Sequence, residues 1–334
     1  MKYVNSKNPF AVLIVLNWNG EKIIKDCLSS LLRTNYPNFK VIVVDNGSVD
    51  NSVDIIKKYF KGKVELIVNK ENLGFPKGMN LGIKYAIKKY NPNYIGLLNN
   101  DLIFFDRDWL NRIIKVMEND SSIGVASPLL LFPDKSIQRV GETFGNNLAL
   151  LMIRMLTAVP KKIHKTNLKG VRKVDILFGP CLIIKREVLE KIGLLDERYS
   201  PFLFEDVEYS FRLKKFGYKI VAVFDSKVIH LLSYSMGKLS KENVEKDLFR
   251  FYVTTRNAFL FSLEYFGFIK SFFFSLPIII FVTFFEKKKK RDAISMMNLS
   301  IRWHSGKRMC YLLKSLIDAI RLIRKSKSCL ILNN

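Results

Sequence analysis

The chain is poor in the residues that build metal clusters and disulfide frameworks, with 4 cysteines and 3 histidines in 334 positions. Cys27, Cys181, Cys310 and Cys329 are scattered, with no C-x-x-C spacing and no histidine cluster. That argues against a zinc site or a disulfide scaffold and fits a reducing cytoplasm. Acidic residues are also scarce, 30 against 55 Lys plus Arg. The resulting net charge of +25 favours polyanions, anionic lipid headgroups or phosphate-bearing substrates as partners. No G-x-G-x-x-G turn follows the first apolar run, and no G-x-x-x-x-G-K-[ST] occurs. Two common glycine-rich phosphate cradles are therefore missing, which weighs against a nicotinamide dinucleotide enzyme. The start, MKYVNSKNPF, has no long apolar core of a secretion signal. An RNP-type nucleic-acid motif is absent as well, so no nucleic-acid partner is expected.

What is present is a chain 49% hydrophobic, long enough for one large α/β domain or a domain with an appendage. Four short runs rich in Val, Ile and Leu open it: FAVLIVL (10–16), FKVIVV (39–44), KVELIV (63–68) and YIGLL (94–98). Each is bounded by polar turns, the pattern of strands in a parallel sheet covered on both faces. Between them, Ile24, Cys27, Leu28, Leu31 and Leu32 recur at helical spacing. A second helix is expected to end near Phe60, and a third to run from about Lys77 to Tyr90 before Asn91-Pro92. Strand and helix in alternation predict βαβ units with right-handed crossovers.

Strands that all point one way gather their C-terminal ends along one edge, where open α/β sheets bind ligands. Those ends read Asn17-Trp18-Asn19-Gly20, Asp45-Asn46-Gly47-Ser48, Asn69 to Gly74 and Asn99-Asn100-Asp101. One polar strand end is ordinary turn chemistry. Four converging ones describe a site for a polar ligand. Asp45 is placed to accept hydrogen bonds from a nucleobase or ribose. Without a glycine-rich loop, a diphosphate needs another holder, and a divalent cation on Asp101 would serve.

With these residues in view, the sequence resembles the family 2 glycosyltransferases. The resemblance runs from about Phe10 to Gly237, with a weaker match at Thr255-Arg256-Asn257. It rests on VLNWNG (15–20), VVDNGSVDNS (43–52), NLGFPKGMNLGI (72–83), LLNND (97–101), GPCLIIKREVLEKIGLLDERY (179–199), FLFEDVEYSFRLKKFGYKI (202–220) and VIHLLSYSMGK (228–238). The resemblance implies a GT-A fold, a Rossmann-like and mostly parallel sheet flanked by helices. It implies an inverting enzyme that uses a nucleotide sugar, with rhamnosyltransferase-like members the nearest. Asn17 and Asp45 would help hold the nucleotide, with Asn19, Asn46, Asn99 and Asn100 beside them at the strand ends. Asn72, Gly74 and Asn80 would lie near its ribose or diphosphate. Asp101 stands where the last acid of an Asp-x-Asp metal motif stands, for Mg²⁺ or Mn²⁺, but Asn99 occupies the first position. His230 matches a further metal or diphosphate contact, and a neutral histidine satisfied at a strand end remains the other reading.

FLFEDVEYSFRLKKFG predicts a helix from Glu205, with Val207, Phe211 and Phe216 on its apolar side and Gly217 as its stop. Acids at its start would offset the macrodipole whatever else they do. By the family's Glu-Asp motif, Asp206 is the general base that deprotonates an acceptor hydroxyl, and Glu205 contacts the acceptor or positions the loop. The stretch from Asp134 to Val174, including LALLMIRML (148–156) and KKIHK (161–165), is expected to be a flap over donor or acceptor, or else an insertion without catalytic part.

A catalytic domain over 1–240 is expected to be followed by a helical, basic region over 241–334. The latter holds 18 basic and 7 acidic residues, net +11 against +14 for the preceding 240. Its apolar stretch FGFIKSFFFSLPIIIFVTFF (266–285) is broken by Lys270, contains Pro277 and is followed at once by EKKKKRD. A spanning helix needs about 20 apolar residues. An interfacial or hairpin segment over 266–291 is therefore preferred to a true span, with Lys287 to Arg291 on anionic headgroups. Such a tail would place the enzyme on the cytoplasmic face of a membrane, where a lipid-linked glycan acceptor is anchored. The last segment, 309–327, carries Leu312, Leu313, Leu316, Ile317 and Ile320 as a stripe for a membrane or a partner subunit. A nucleotide-sugar-binding relative without activity and a sugar nucleotidyltransferase are the alternative readings. The latter would be expected to carry a glycine-rich triphosphate loop where this chain has NWNG.

Overall fold

Each apolar run becomes a strand, and alternation along the first one builds two cores. The computed structural model describes residues 8–139, 141, 143, 168–231, 244–277 and 305–331. The strands β1 (Ala11–Asn17), β2 (Phe39–Asp45), β3 (Glu65–Val68) and β4 (Tyr94–Asn99) pair in parallel, in the order β3-β2-β1-β4. Ala11, Leu13 and Val15 point to one face, where α1 (Ile24–Leu31), α2 (Ser52–Phe60) and α4 (Trp109–Asn119) supply Leu28, Ile56 and Trp109. Val12 and Ile14 point to the other, against Met79, Ile83 and Ala86 of α3 (Phe75–Tyr90). This is the period-two rule of strands applied to a sheet buried on both sides.

The sheet continues through β9 (Cys181–Lys185), β6 (Ile123–Leu131), β10 (Lys219–His230) and β5 (Leu102–Ile103). The short β7 (Ile137–Arg139) pairs with β6, and β8 (Val171–Val174) with β10. Since β9 runs antiparallel to both β4 and β6, and β10 parallel to β6, the longer strands other than β9 share one direction. The fold is thus α/β with a mostly parallel sheet, as expected, but β9 enters it against the grain. Helices α5 (Arg186–Ile192) and α6 (Glu205–Lys215) cover the same face as α3, through Val188, Leu189 and Leu213.

Helix boundaries follow local chemistry. α3 starts after Gly74, whose φ of 82° suits glycine, has Pro76 in its first turn, and ends at Asn91 in the left-handed region. It begins two residues before the predicted Lys77. α6 runs from Glu205 as predicted and is stopped by Gly217 at φ 82°. Its buried side differs from the expected one: Val207, Tyr209 and Leu213 are buried, while Phe216 is exposed just past the last helical turn.

The described residues fall into two compact units. The first holds the sheet. The second takes in 202–204, α7 (Val244–Lys270) and α8 (Ser305–Ile331). Within it α7 packs on α8, where Leu312, Ser315 and Ala319 are buried, and the Tyr252 hydroxyl donates to Asp318 at 2.7 Å. Leu312 of the predicted stripe is buried, whereas Leu313 and Ile317 are exposed. The expected boundary near 240, residues 278–304 of the basic tail and most of the expected flap, including His164, lie outside the described residues. Among the described residues no helix is long and apolar enough to cross a membrane.

Candidate functional site

The strand ends meet on Asn17. Its Nδ2 donates to Asp45 Oδ1 (2.8 Å) and Ser52 Oγ (3.0 Å), and its Oδ1 accepts from Asn100 Nδ2 (2.8 Å). Side chains from the ends of β1, β2 and β4 are thereby tied together. Asp45 is fully buried, and its carboxylate also accepts from the Ser48 hydroxyl (2.6 Å) and the Ser48 backbone N–H (3.0 Å). A buried charge is tolerable when hydrogen-bonded in this way. Gly20 lies against this hub: a Cβ there would meet Asn17 Oδ1 at 2.2 Å and Asn100 Nδ2 at 2.5 Å. Asp50, behind Ser52, is held below the usual carboxylate range: partial burial opposes this, but hydrogen bonds from Ser52 and the Glu21 N–H prevail.

Asn19 adopts a left-handed φ of 48° and accepts from the Val49 N–H (2.9 Å), pinning the first loop to the second. Asn46 does the same for the third loop. Its Oδ1 accepts from Asn69 Nδ2 (3.1 Å) and the Leu73 N–H (3.2 Å), and its Nδ2 donates to Asn72 Oδ1 (2.9 Å). Asn72 Oδ1 in turn accepts from the Gly74 N–H (2.8 Å). Asn80, expected near ribose or diphosphate, has its amide engaged elsewhere: Nδ2 donates to Leu195 O (2.9 Å) and Glu197 Oε1 (3.0 Å), and Oδ1 accepts from the Leu195 N–H (3.1 Å). That amide clamps α3 to the 195–197 turn.

Asp101 and His230 are brought together by sheet pairing. β5 follows Asp101 and runs antiparallel to the end of β10, so that His230 pairs with Leu102 and the Leu231 N–H donates to Asp101 O (2.9 Å). His230 Nε2 then lies 3.3 Å from Asp101 Oδ1, both side chains buried. The other ring nitrogen, Nδ1, is 2.8 Å from Oε1 of buried Gln138, whose Nε2 donates to His230 O (3.3 Å). An amide oxygen only accepts, so Nδ1 carries the proton. The other ring nitrogen, Nε2, and a carboxylate oxygen of Asp101 then lie close enough for one ion to reach both. That arrangement fits a cation. Among the described residues no group of three or more His, Cys, Asp or Glu could hold a metal ion, so those residues would supply two ligands there. Gln138 was not legible in the sequence, because nothing local marks a glutamine on a three-residue strand as the partner of a distant histidine.

Asp206 is joined to the same edge through Gly179-Pro180. The Gly179 N–H donates to Asp206 Oδ2 (2.9 Å), while Pro180 O accepts from the Asn99 N–H (2.9 Å). The Val207 N–H donates to the other oxygen, Oδ1, at 2.8 Å. Glu205 beside it is buried, with Oε2 lacking a hydrogen-bond partner among the described residues. Burial first, and the charge of Asp206 second, raise its pKa well above the usual carboxylate value. Two adjacent acids thus have opposite environments. The residues before Glu205 belong to the second unit, where Leu203 and Phe204 both have positive φ, 73° and 74°. Such backbone is disfavoured for side chains of this size. Asn257, fully buried, donates to Phe202 O (3.0 Å) and Leu203 O (2.7 Å), and Arg256 holds its Oδ1.

Comparison with known proteins finds likeness in both sequence and fold. The profile described as Glycosyl transferase family 2 matches residues 12–193, more than half of the chain. The O-antigen biosynthesis protein RfbC of Myxococcus xanthus is 24% identical over 233 residues, covering 69% of this chain but 18% of that protein. The dTDP-rhamnosyl transferase RfbF of Shigella flexneri is 26% identical over 267 residues, 76% of this chain and 80% of that one. Among solved structures, the mannosyltransferase PcManGT of Pyrobaculum calidifontis, in complex with GDP-Man and Mn²⁺, superimposes with a TM-score of 0.53 at 14% identity. That match covers 97% of this chain and 81% of the other, and it shows likeness of fold.

Proposed function

The chain belongs to glycosyl transferase family 2, and on that footing we propose that it moves a sugar from a nucleoside diphosphate donor to a glycan hydroxyl, inverting the anomeric carbon. One observation carries the reading: the Asn17 hub, the Asp101–His230 pair and Asp206 lie on one continuous set of contacts along a single sheet edge. The nucleoside would rest against the loops after β1, β2 and β3, whose amides Asn19, Asn46 and Asn72 are already fixed. Asp101 and His230 would hold Mg²⁺ or Mn²⁺. A bound cation supplies positive charge that offsets the departing diphosphate.

Asp206 acts as the base. As the acceptor oxygen bonds to the anomeric carbon on the face opposite the leaving diphosphate, its proton passes to a carboxylate oxygen of Asp206. The Gly179 and Val207 N–H groups fix that carboxylate's orientation. Glu205 beside it is buried and costlier to ionise than a solvated carboxyl, which leaves the base's role to Asp206. Similarity to proteins named for O-antigen biosynthesis and dTDP-rhamnosyl transfer supports a glycan or lipid-linked glycan acceptor and a deoxyhexose donor. Thermal-shift screening of UDP-, dTDP- and GDP-sugars with Mn²⁺ tests this. A stabilising sugar nucleotide that is then consumed with acceptor supports the reading, and no response to any of them counts against it.

A further inference from the structure

Between α5 and α6 the chain from Ile192 to Pro201 is bonded on two sides. On one side stands α3, whose first turn follows directly on the loop ending at Gly74. The Phe75 N–H donates to Pro201 O (2.6 Å). A Cβ on Gly74 would meet Pro201 Cα at 2.8 Å and its O at 3.0 Å, so loop and stretch touch backbone to backbone. Further along α3, the Asn80 amide takes both backbone groups of Leu195 and the Glu197 carboxylate. On the other side stands α6. Arg212 Nη1 donates to Ile192 O (2.9 Å) and Nη2 to Leu194 O (2.8 Å), while Nε and Nη2 also donate to the two oxygens of buried Glu208 (3.0 and 2.8 Å). A planar guanidinium fixed by a carboxylate on its own helix holds those two carbonyls in a set geometry. Leu195 and Tyr199 are buried, so the stretch is packed as well as bonded.

The two helices so joined carry the two halves of the proposed chemistry. α3 opens at the loop that would meet the donor, and α6 bears Asp206 in its first turn. Whatever holds one helix to the other sets the distance between sugar nucleotide and base. Transfer depends steeply on that distance, since misplacing a catalytic group by about 1 Å can cost about 10²-fold in rate. On the reading of Asp206 as the base, we infer that Asn80 and Arg212 are positioning residues, which clamp residues 192–201 between α3 and α6 as a brace and so fix Asp206 with respect to the donor. Asn80 then acts on transfer through the brace and not by touching the nucleotide.

The test uses the full chain with UDP-, dTDP- and GDP-sugars and Mn²⁺, measuring donor affinity by calorimetry and release of nucleoside diphosphate with water as the acceptor. Wild type, Asn80→Ala, Asp206→Asn and the double variant are compared. Asn80→Ala should bind sugar nucleotide as tightly as wild type and turn it over about 10²-fold more slowly; a side chain in contact with the donor would lose affinity instead. In the Asp206→Asn background the Asn80 change should cause little further loss, because groups that act as one unit are not additive. A clamp that merely stabilises the fold would subtract its effect in both backgrounds. Arg212→Lys keeps the charge without the planar fork and should reproduce the Asn80→Ala pattern, so it carries the test if Asn80→Ala does not fold. Wild-type turnover in Asn80→Ala, weakened donor binding by it, or losses that add in the double variant would overturn the brace and leave Asp206 as the base. Wild-type turnover in Asp206→Asn would remove the base, and the brace with it.

Discussion

His230 Nε2 faces Asp101 Oδ1 across 3.3 Å while Gln138 grips the opposite nitrogen of the ring. Sheet pairing brings the two residues together, and the glutamine decides which nitrogen points at the carboxylate. Outer partners of this kind typically change metal affinity about 10 to 100-fold. Gln138→Leu should weaken Mn²⁺ binding by about that factor, measured by calorimetry or by the Mn²⁺ electron paramagnetic resonance signal, with little change in melting temperature relative to other buried substitutions. Unaltered Mn²⁺ affinity would mean that the ring needs no such partner.

Asn17 joins three strand ends through one amide. Asn17→Ala leaves Asp45, Ser52 and Asn100 each short of a partner, and is expected to lower stability by about 1–3 kcal/mol. Nucleotide affinity should fall with it. Urea unfolding and nucleotide titration on the same preparation check both, and a variant as stable as wild type contradicts the hub.

Gly20→Ala tests the same hub from outside, since the added methyl would lie within 2.2 Å of Asn17 Oδ1 and 2.5 Å of Asn100 Nδ2. The two amides must part. The expected result is a loss of sugar-nucleotide binding larger than the loss of melting temperature; equal affinity in mutant and wild type would show that the contact between the amides is dispensable.

Burial, followed by the charge of Asp206, raises the Glu205 pKa well above 4.5. A carboxyl that binds its proton more tightly when folded contributes stability in full below the unfolded pKa, and loses it as pH climbs toward the folded one. Glu205→Gln is neutral at every pH and keeps the shape. Wild type should therefore lose melting temperature relative to this variant as pH rises above about 4.5, the carboxyl's ordinary value. A constant gap over that range would place Glu205 in water rather than in a buried site.

Much of the fold was legible because parallel strands announce themselves: the runs at 10–16, 39–44, 63–68 and 94–98 became β1 to β4 within two residues at each end. The converging strand-end amides were legible for the same reason, since topology alone brings Asn17, Asp45 and Asn100 to one edge. What those amides bond to was not. Asn80 carries the same side chain as Asn46, yet it clamps the 195–197 turn, and only tertiary packing distinguishes them. β9 was missed as an antiparallel intruder because CLIIK has the same composition whichever way it runs. Phe216 was read as buried from helical spacing, but the helix stops at Lys215 and its side chain turns out to solvent.

Asn257 answers a different question, why Leu203 and Phe204 hold positive φ directly before Glu205 in the chain. Its amide donates to two carbonyls of that turn. Asn257→Ala should destabilise by about 1–3 kcal/mol and depress transfer more than donor binding. Wild-type turnover in a folded variant would show that the turn holds itself.

The base assignment is tested most directly by Asp206→Asn, with donor affinity and transfer rate measured on one preparation. The amide keeps the shape but cannot take a proton, so donor affinity should stay near wild type while transfer falls by about 10² to 10⁴-fold. Transfer at the wild-type rate would remove Asp206 from the chemistry.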